Sequence, residues 1–184
     1  MEKLKKNNII LRPIEPEDLE ILYKWENDPD IWNISNTITP FSKYILKKYI
    51  ENSHLDIYET KQFRFMIDFL SDEDNSIPIG TIDLFDFDPY HNRIGVGILI
   101  KKNENRKKGY ASIALELLIN YAFTILKVHQ LYCNICIDNK ISLHLFKKFN
   151  FEVIGLKKDW NKTSTGWKGE YMLQLINPNK DKSS

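Results

Sequence analysis

The sequence predicts an α+β fold built on a mixed, mainly antiparallel sheet flanked by helices, and three observations carry that expectation. Apolar, strand-like runs at 63–69, 77–87 and 93–100 follow one another through short connections rich in turn residues, the pattern of an antiparallel meander. From Gly109 the apolar period becomes helical, through Ala111, Ala114, Leu115, Leu118, Ala122 and Ile125. A further strand at 130–137 comes after that helix, so it can lie parallel to 93–100 as a right-handed crossover.

The other elements follow in order. The run at 9–14 is short, apolar and interrupted by Pro13, which reads as an edge strand. Pro16 suits the first position of a helix, Glu17 and Asp18 complement the positive end of its dipole, and Leu19, Leu22, Tyr23 and Glu26 keep helical spacing until Asp28-Pro29. Residues 30–41 show no clean period, and Ser42 is placed to cap a second helix reaching about Asn52. After 130–137, Asp138 or Asn139 caps a helix through Phe149; 151–156 and 167–176 are the closing strands, joined by a polar loop around 161–166. No repeat or linker is evident, so 1–184 is expected to be one domain, with its core at about 9–176 and a polar tail at 177–184.

Composition narrows the function classes. With 42% hydrophobic and 28% charged residues the chain is ordinary for a globular protein and too apolar for a disordered one. A formal net charge of +1 offers no overall field for nucleic acid or an anionic membrane. The N-terminus is polar and no stretch approaches the roughly 20 apolar residues of a membrane span, so a cytoplasmic location is expected. Cys133 and Cys136 have C-x-x-C spacing, but residues three apart on a strand face opposite ways and no second ligand pair exists. His54, His91, His129 and His144 are scattered without ligand spacing, and no metal is expected.

The segment with the clearest chemistry is Lys101-Lys102-Asn103-Glu104-Asn105-Arg106-Lys107-Lys108-Gly109-Tyr110-Ala111, between a strand and the start of the long helix. Unpaired backbone N–H groups at a helix N-terminus make an anion site, and Gly109 and Ala111 lack side chains that would obstruct phosphate oxygens. Lys101, Lys102, Arg106, Lys107 and Lys108 outweigh Glu104. A solvated helix start is the structural alternative. Neither G-x-x-x-x-G-K-[ST] nor G-x-G-x-x-G is present, which argues against nucleotide hydrolysis and NAD chemistry.

Arg106-Lys107-Lys108-Gly109-Tyr110-Ala111 is similar to the [QR]-x-x-G-x-[GA] turn of GNAT acetyltransferases. Leu11-Arg12-Pro13, Glu17-Asp18-Leu19 and Trp25-Glu26-Asn27-Asp28-Pro29 resemble the N-terminal strand and helix of the branch containing ribosomal-protein N-terminal and spermidine acetyltransferases. Asn139-Lys140-Ile141-Ser142, Phe149-Asn150-Phe151 and Gly166-Trp167-Lys168-Gly169-Glu170-Tyr171 continue the resemblance in the family's order, over roughly 9–176.

The resemblance implies a GNAT fold in which the strands at 93–100 and 130–137 splay apart to admit acetyl-CoA, with no metal. It implies acetyl-CoA contacts at Leu99, Ile100, Lys101, Arg106, Lys107, Lys108, Gly109, Tyr110, Ala111, Ser112, Asn139 and Phe146. Backbone groups of Leu99, Ile100 and Lys101 would hold the pantetheine and polarise the thioester carbonyl. Asn139 would bond the same arm, a helix cap being its structural alternative.

Acetyl transfer to an amine needs an acceptor that has lost a proton, from a pKa of about 10.4, and a thiolate leaving group that gains one. Phe146 stands where many relatives place the proton-donating Tyr and cannot donate. Ser142 matches the serine of the ribosomal-protein branch and is the candidate donor, with solvent or a locally bonded serine as the alternative. For the base, Glu170 and Asp83 are candidates, with water-relayed deprotonation as the alternative; Asp83 and Asp86 must face opposite ways on a regular strand, and Gly95 stands where many relatives place a glutamate. Phe41, Tyr44 and Tyr49 with Trp25 and Trp32 are placed to line the acceptor mouth or the core. The implied activity is transfer of acetyl from acetyl-CoA to a primary amine (a protein N-terminus, an aminosugar, a polyamine or another small amine) by direct attack in a ternary complex. The rival is a GNAT module that binds acyl-CoA without catalysis. Expected partners are acetyl-CoA and the amine, without nucleic acid or membrane, in a monomer or homodimer.

Overall fold

A computed structural model describes residues 2–35, 39–72, 75–101 and 108–178. Eight strands form one sheet in the order β1-β2-β3-β4-β5-β6-β8-β7: β1 Lys5–Lys6, β2 Ile9–Pro13, β3 Phe63–Leu70, β4 Ser76–Asp88, β5 Arg93–Ile100, β6 Gln130–Cys136, β7 Glu152–Thr163 and β8 Gly166–Ile176. The helices are α1 Leu19–Glu26, α2 Pro29–Ser35, α3 Lys43–Glu51, α4 Ile57–Thr60, α5 Tyr110–Thr124 and α6 Lys140–Lys148.

The meander β3-β4-β5 and the parallel β5–β6 crossover through α5 are present. Ser42 caps α3 by accepting from the Ile45 N–H at 3.2 Å. Several expectations are corrected. The strand at 9–13 is not an edge, because the two-residue β1 pairs outside it. Pro16–Asp18 forms a 3₁₀ turn ahead of α1. Residues 29–35 are helical, with Pro29 at the first position, where its missing N–H costs nothing. Gly109 caps α5 rather than belonging to it, and Ile125 lies beyond its end and is exposed. The polar 161–166 segment is mostly strand: β7 and β8 form a long hairpin that turns at Ser164-Thr165, and β8 inserts between β6 and β7.

Register sorts the side chains onto two faces, because successive residues alternate and paired residues share a face. One face is apolar: Phe65 and Ile67, Ile82 and Leu84, Ile94 and Val96, Leu131 and Cys133 pack against Ala114, Leu115, Leu118 and Ala122 of α5 and Phe146 of α6. The other face carries nearly all the polar chemistry. There α1 and α3 cover Met66 with Leu22, Trp25 and Ile50, and Arg12 donates from its terminal nitrogens to both oxygens of Asp18 at 2.7 and 2.8 Å and from Nε to Asp68 at 2.8 Å. This clamp ties β2 to the turn before α1. It explains why the Leu11-Arg12-Pro13 and Glu17-Asp18-Leu19 motifs occur together.

Cys133 and Cys136 fall on opposite faces as expected, with Cys133 buried among apolar neighbours that push its thiol pKa up. Among the described residues no group of His, Cys, Asp and Glu could hold a metal ion.

Candidate active site

β5 and β6 are paired only through Arg93↔Gln130, Ile94↔Leu131 and Gly95↔Tyr132. Beyond that point β5 and β6 no longer pair with each other, while β5 pairs with β4 as far as Gly80↔Ile100 and β6 with β8 as far as Cys136↔Glu170. The two parallel strands therefore diverge toward their carboxyl ends. α5 follows β5 and α6 follows β6, so both helix N-termini lie at the open end of the gap, the place where α/β sheets bind ligands. Leu99 and Ile100 lie on the β5 wall. The Lys101 N–H donates to Ile79 O at 2.9 Å and so is turned toward β4, while its ammonium pairs with Asp28.

At the mouth, Gly109 has φ +83°, a conformation in which a Cβ would be strained, although a Cβ there would meet nothing within 4 Å. Glycine is thus required by the backbone turn. The first helical bond runs from Ile113 N to Gly109 O at 3.1 Å. The N–H groups of Tyr110, Ala111 and Ser112 consequently have no partner among the described residues and form the positive end of a helix fifteen residues long.

Lys108 is exposed beside them, and Tyr110 turns its ring inward onto Phe69 at 5.2 Å. Arg106 and Lys107 lie outside the described residues. A cation that sequence spacing did not suggest arrives from α6, whose last residue, Lys148, donates to Ser112 Oγ at 3.4 Å.

At the other helix start, Asn139 caps α6, its Oδ1 accepting from the Ser142 N–H at 3.1 Å. The cap uses the oxygen and leaves the amide NH₂ without a partner among the described residues, so capping does not compete with a hydrogen bond to a pantetheine arm. The Ser142 hydroxyl is half-buried and makes no hydrogen bond with described residues. Phe146, 3% exposed, is a core side chain, edge-on to Phe151 at 5.0 Å.

Asp83 and Glu170 share the polar face, on opposite sides of the gap. Arg64 holds Asp83 with Nε at 2.5 Å and Nη2 at 3.2 Å and also pairs with Glu26 of α1. Burial alone would lower the Arg64 pKa, but Asp83 and Glu26 outweigh it and hold the guanidinium more firmly charged than usual. Tyr49 of α3 lies beneath that guanidinium at 5.8 Å, and its phenol pKa is raised by burial.

Glu170 is buried, with Oε2 receiving Lys157 Nζ at 3.1 Å and Oε1 at 3.5 Å from Asn161. Asp86 sits in a β-bulge at φ +51° and is exposed, so the regular alternation assumed for it does not hold. A Cβ on Gly95 would lie 2.3 Å from the Phe85 ring, so a larger residue there requires that ring to move. Of the aromatics expected at the mouth, Trp25 is buried, Tyr49 packs beside it, and Tyr44 is exposed. Arg64, Glu26, Lys157 and Lys148 are the site residues that sequence patterns missed.

An anion site on one helix start, a capped second helix start and a strand gap between them define a protein that binds an extended, phosphate-bearing thioester such as acetyl-CoA. The sequence pattern of the "Acetyltransferase (GNAT) domain" matches residues 8–152, and the chain belongs to that family. It is 29% identical over 177 residues to the uncharacterized N-acetyltransferase p20 of Bacillus licheniformis, covering 96% of this chain and 97% of that protein. It is 26% identical to the spermidine N(1)-acetyltransferase of Escherichia coli K12 over 81% of this chain and 75% of that one. Spermidine N-acetyltransferase from Vibrio cholerae, solved with CoA and spermine, superposes with a TM-score of 0.82 at 20% identity, covering 94% and 97% of the two chains. The fold is the GNAT fold, and the chain is an acetyl-CoA-dependent N-acetyltransferase.

Proposed function

We propose that residues 9–176 form one catalytic domain that transfers acetyl from acetyl-CoA to a primary amine in a ternary complex. The observation that carries this is the divergence of β5 from β6 after Gly95↔Tyr132, with the free N–H groups of Tyr110, Ala111 and Ser112 at its mouth. Those groups, with Lys108, Lys148 and the neighbouring Arg106 and Lys107, take the diphosphate. The β5 wall of the gap at Leu99 and the Asn139 amide take the pantetheine.

The amine nitrogen attacks the thioester carbonyl carbon, the C–S bond breaks, and the thiolate takes a proton. Ser142 is the donor, since its hydroxyl has no competing partner among the described residues and Phe146 carries no proton to give; a positioned general acid contributes about 10²- to 10⁴-fold. Of the two carboxylates, Glu170 is the better base, because Asp83 has both oxygens bonded to Arg64. Asp83 with Glu26 instead attracts the incoming ammonium. Spermidine, acted on by the Escherichia coli relative, belongs among the acceptors to be tested. The enzyme works in the cytoplasm, as a monomer or a homodimer; a spermidine N-acetyltransferase from Vibrio cholerae is dodecameric.

Thiol release from acetyl-CoA, followed with a panel of amines, tests the proposal. Acceptor-dependent release is expected. Tight CoA binding without release on any amine would make the chain a non-catalytic acyl-CoA module.

A further inference from the structure

We infer that a hollow of about 200 Å³ beside Arg64 is an acceptor subsite for an uncharged or anionic group, which makes the acceptor a primary amine without a second cation at its far end. The inference rests on the amine-acetylation reading above and adds the chemical class of the acceptor. Direct pairing in the order Arg64↔Asp83↔Gly97 puts Arg64 two strands from the β5 wall of the gap. Neighbouring strands lie about 4.8 Å apart, so an acceptor reaching from the gap to Arg64 spans about 10 Å.

The guanidinium sits between two environments. Toward Asp83 and Glu26 it uses Nε and one N–H on each terminal nitrogen. The second N–H on each terminal nitrogen has no partner among the described residues. Arg64 also lines the hollow, whose apolar walls are Ile14, Leu55 and Phe63 and whose polar groups include Tyr49 and Thr60. No carboxylate lines it.

Charge then separates the two ends of the acceptor. The reacting ammonium approaches Asp83 and Glu26, which together outweigh Arg64. A second ammonium in the hollow would shed water against a lining that presents Arg64 and no carboxylate, Asp83 and Glu26 lying on the guanidinium's other edge, whereas a hydroxyl, amide or carboxylate accepts the remaining Arg64 N–H groups. The hollow therefore selects against diamines of matching length.

Three acceptors of equal chain length test this: 6-aminohexanoate, 6-amino-1-hexanol and 1,6-diaminohexane. In the native chain kcat/KM for the first two is expected to exceed that for the diamine at least tenfold. Ser53 is an exposed lining residue. Ser53→Glu adds an anion to the hollow and should reverse the order, lowering the aminohexanoate and raising the diamine. A native chain that uses the diamine as well as or better than the others, or an order unmoved in S53E, overturns the inference.

Calorimetric titration of the same three compounds onto CoA-loaded protein separates this from failure of the catalytic reading. The same binding order without thiol release would keep the subsite and remove the activity. Equal affinities, or no binding of any of the three, would remove the subsite.

Discussion

The two carboxylates flanking the gap sit in unlike walls. Asp83 belongs to the β3–β4 side, under α1 and α3, where a bidentate Arg64 is shared with Glu26 and packed over Tyr49. Glu170 belongs to the β7–β8 hairpin, where flexible Lys157 reaches it, Asn134 and the Trp160 ring, the last at 4.8 Å. The hairpin side is open: Trp160 is 57% and Trp167 60% exposed, and Val153, Ile154 and Leu156 of the outermost strand are exposed as well. A planar guanidinium in a covered wall fixes geometry, and a single ammonium on a long stem does not. The covered wall holds both oxygens of its carboxylate, whereas Glu170, although itself buried, has only the 3.5 Å contact from Asn161 on Oε1 and so keeps a freer oxygen for proton transfer.

Removing each cation breaks the comparison most sharply. Arg64→Gln leaves Asp83 and Glu26 facing each other without a counter-charge and should cost about 3 kcal/mol. Lys157→Gln leaves Glu170 with Asn161 and should cost about 1 kcal/mol. Urea unfolding of both variants measures the difference, and equal losses would show the two walls to be alike.

Ser142→Ala, at the α6 start between the walls, should lower kcat about 10²-fold with little change in KM for acetyl-CoA. An unchanged kcat across the pH range would assign the proton to solvent. Gly109→Ala should destabilise by about 1 kcal/mol through its left-handed backbone and raise KM for acetyl-CoA, leaving both walls intact.

The smallest effect is acid sensitivity of the covered side. Burial alone would raise the Asp18 pKa, but bonds from Arg12 and the Glu15 N–H override it and hold the carboxyl below its usual range. A depressed folded pKa gives stability that is fully present above the unfolded value, about 3.9, and is lost as pH falls through the folded one. Asp18→Asn should flatten the dependence of the urea midpoint on pH below about 4, whereas the slope near neutrality should not move.

Legibility followed sequence separation. The α5 start and the Ser42 and Asn139 caps rest on neighbouring residues, and the meander and the parallel crossover on the order of consecutive elements, so all are readable. The helix at 29–35 is not, because residues 30–41 show no clean period, although Asp28-Pro29 does separate α1 from it and Pro29 opens it. The length of β7 was hidden by its polar, bulged sequence, with bulges at Val153/Gly155 and Lys157/Asn161. In the site, the candidate positions Asp83, Ser142 and Glu170 were readable as residue types in a motif order. Their partners were not: Arg64 lies 38 positions from Glu26, and Lys157 lies 23 from Asn134. The Phe85 ring over Gly95 is likewise a cross-strand contact that no local pattern encodes.

By itself, then, the sequence determined the α+β class, the family, the anion-binding helix start and the likeness of the Ser142 and Glu170 positions to catalytic ones. The class and the helix start depend on periodicity, capping and glycine backbone freedom, which act over a few residues, and the family and the Ser142 and Glu170 likenesses on short motifs that resemble a known family in their order. Only the tertiary structure decided that β8 lies between β6 and β7, that Phe146 is core, and that Arg64 commits Asp83 while Glu170 keeps a freer oxygen. Those outcomes depend on strand register, which brings distant charges to one face of the sheet and leaves each ion pair to the side chain that can reach it.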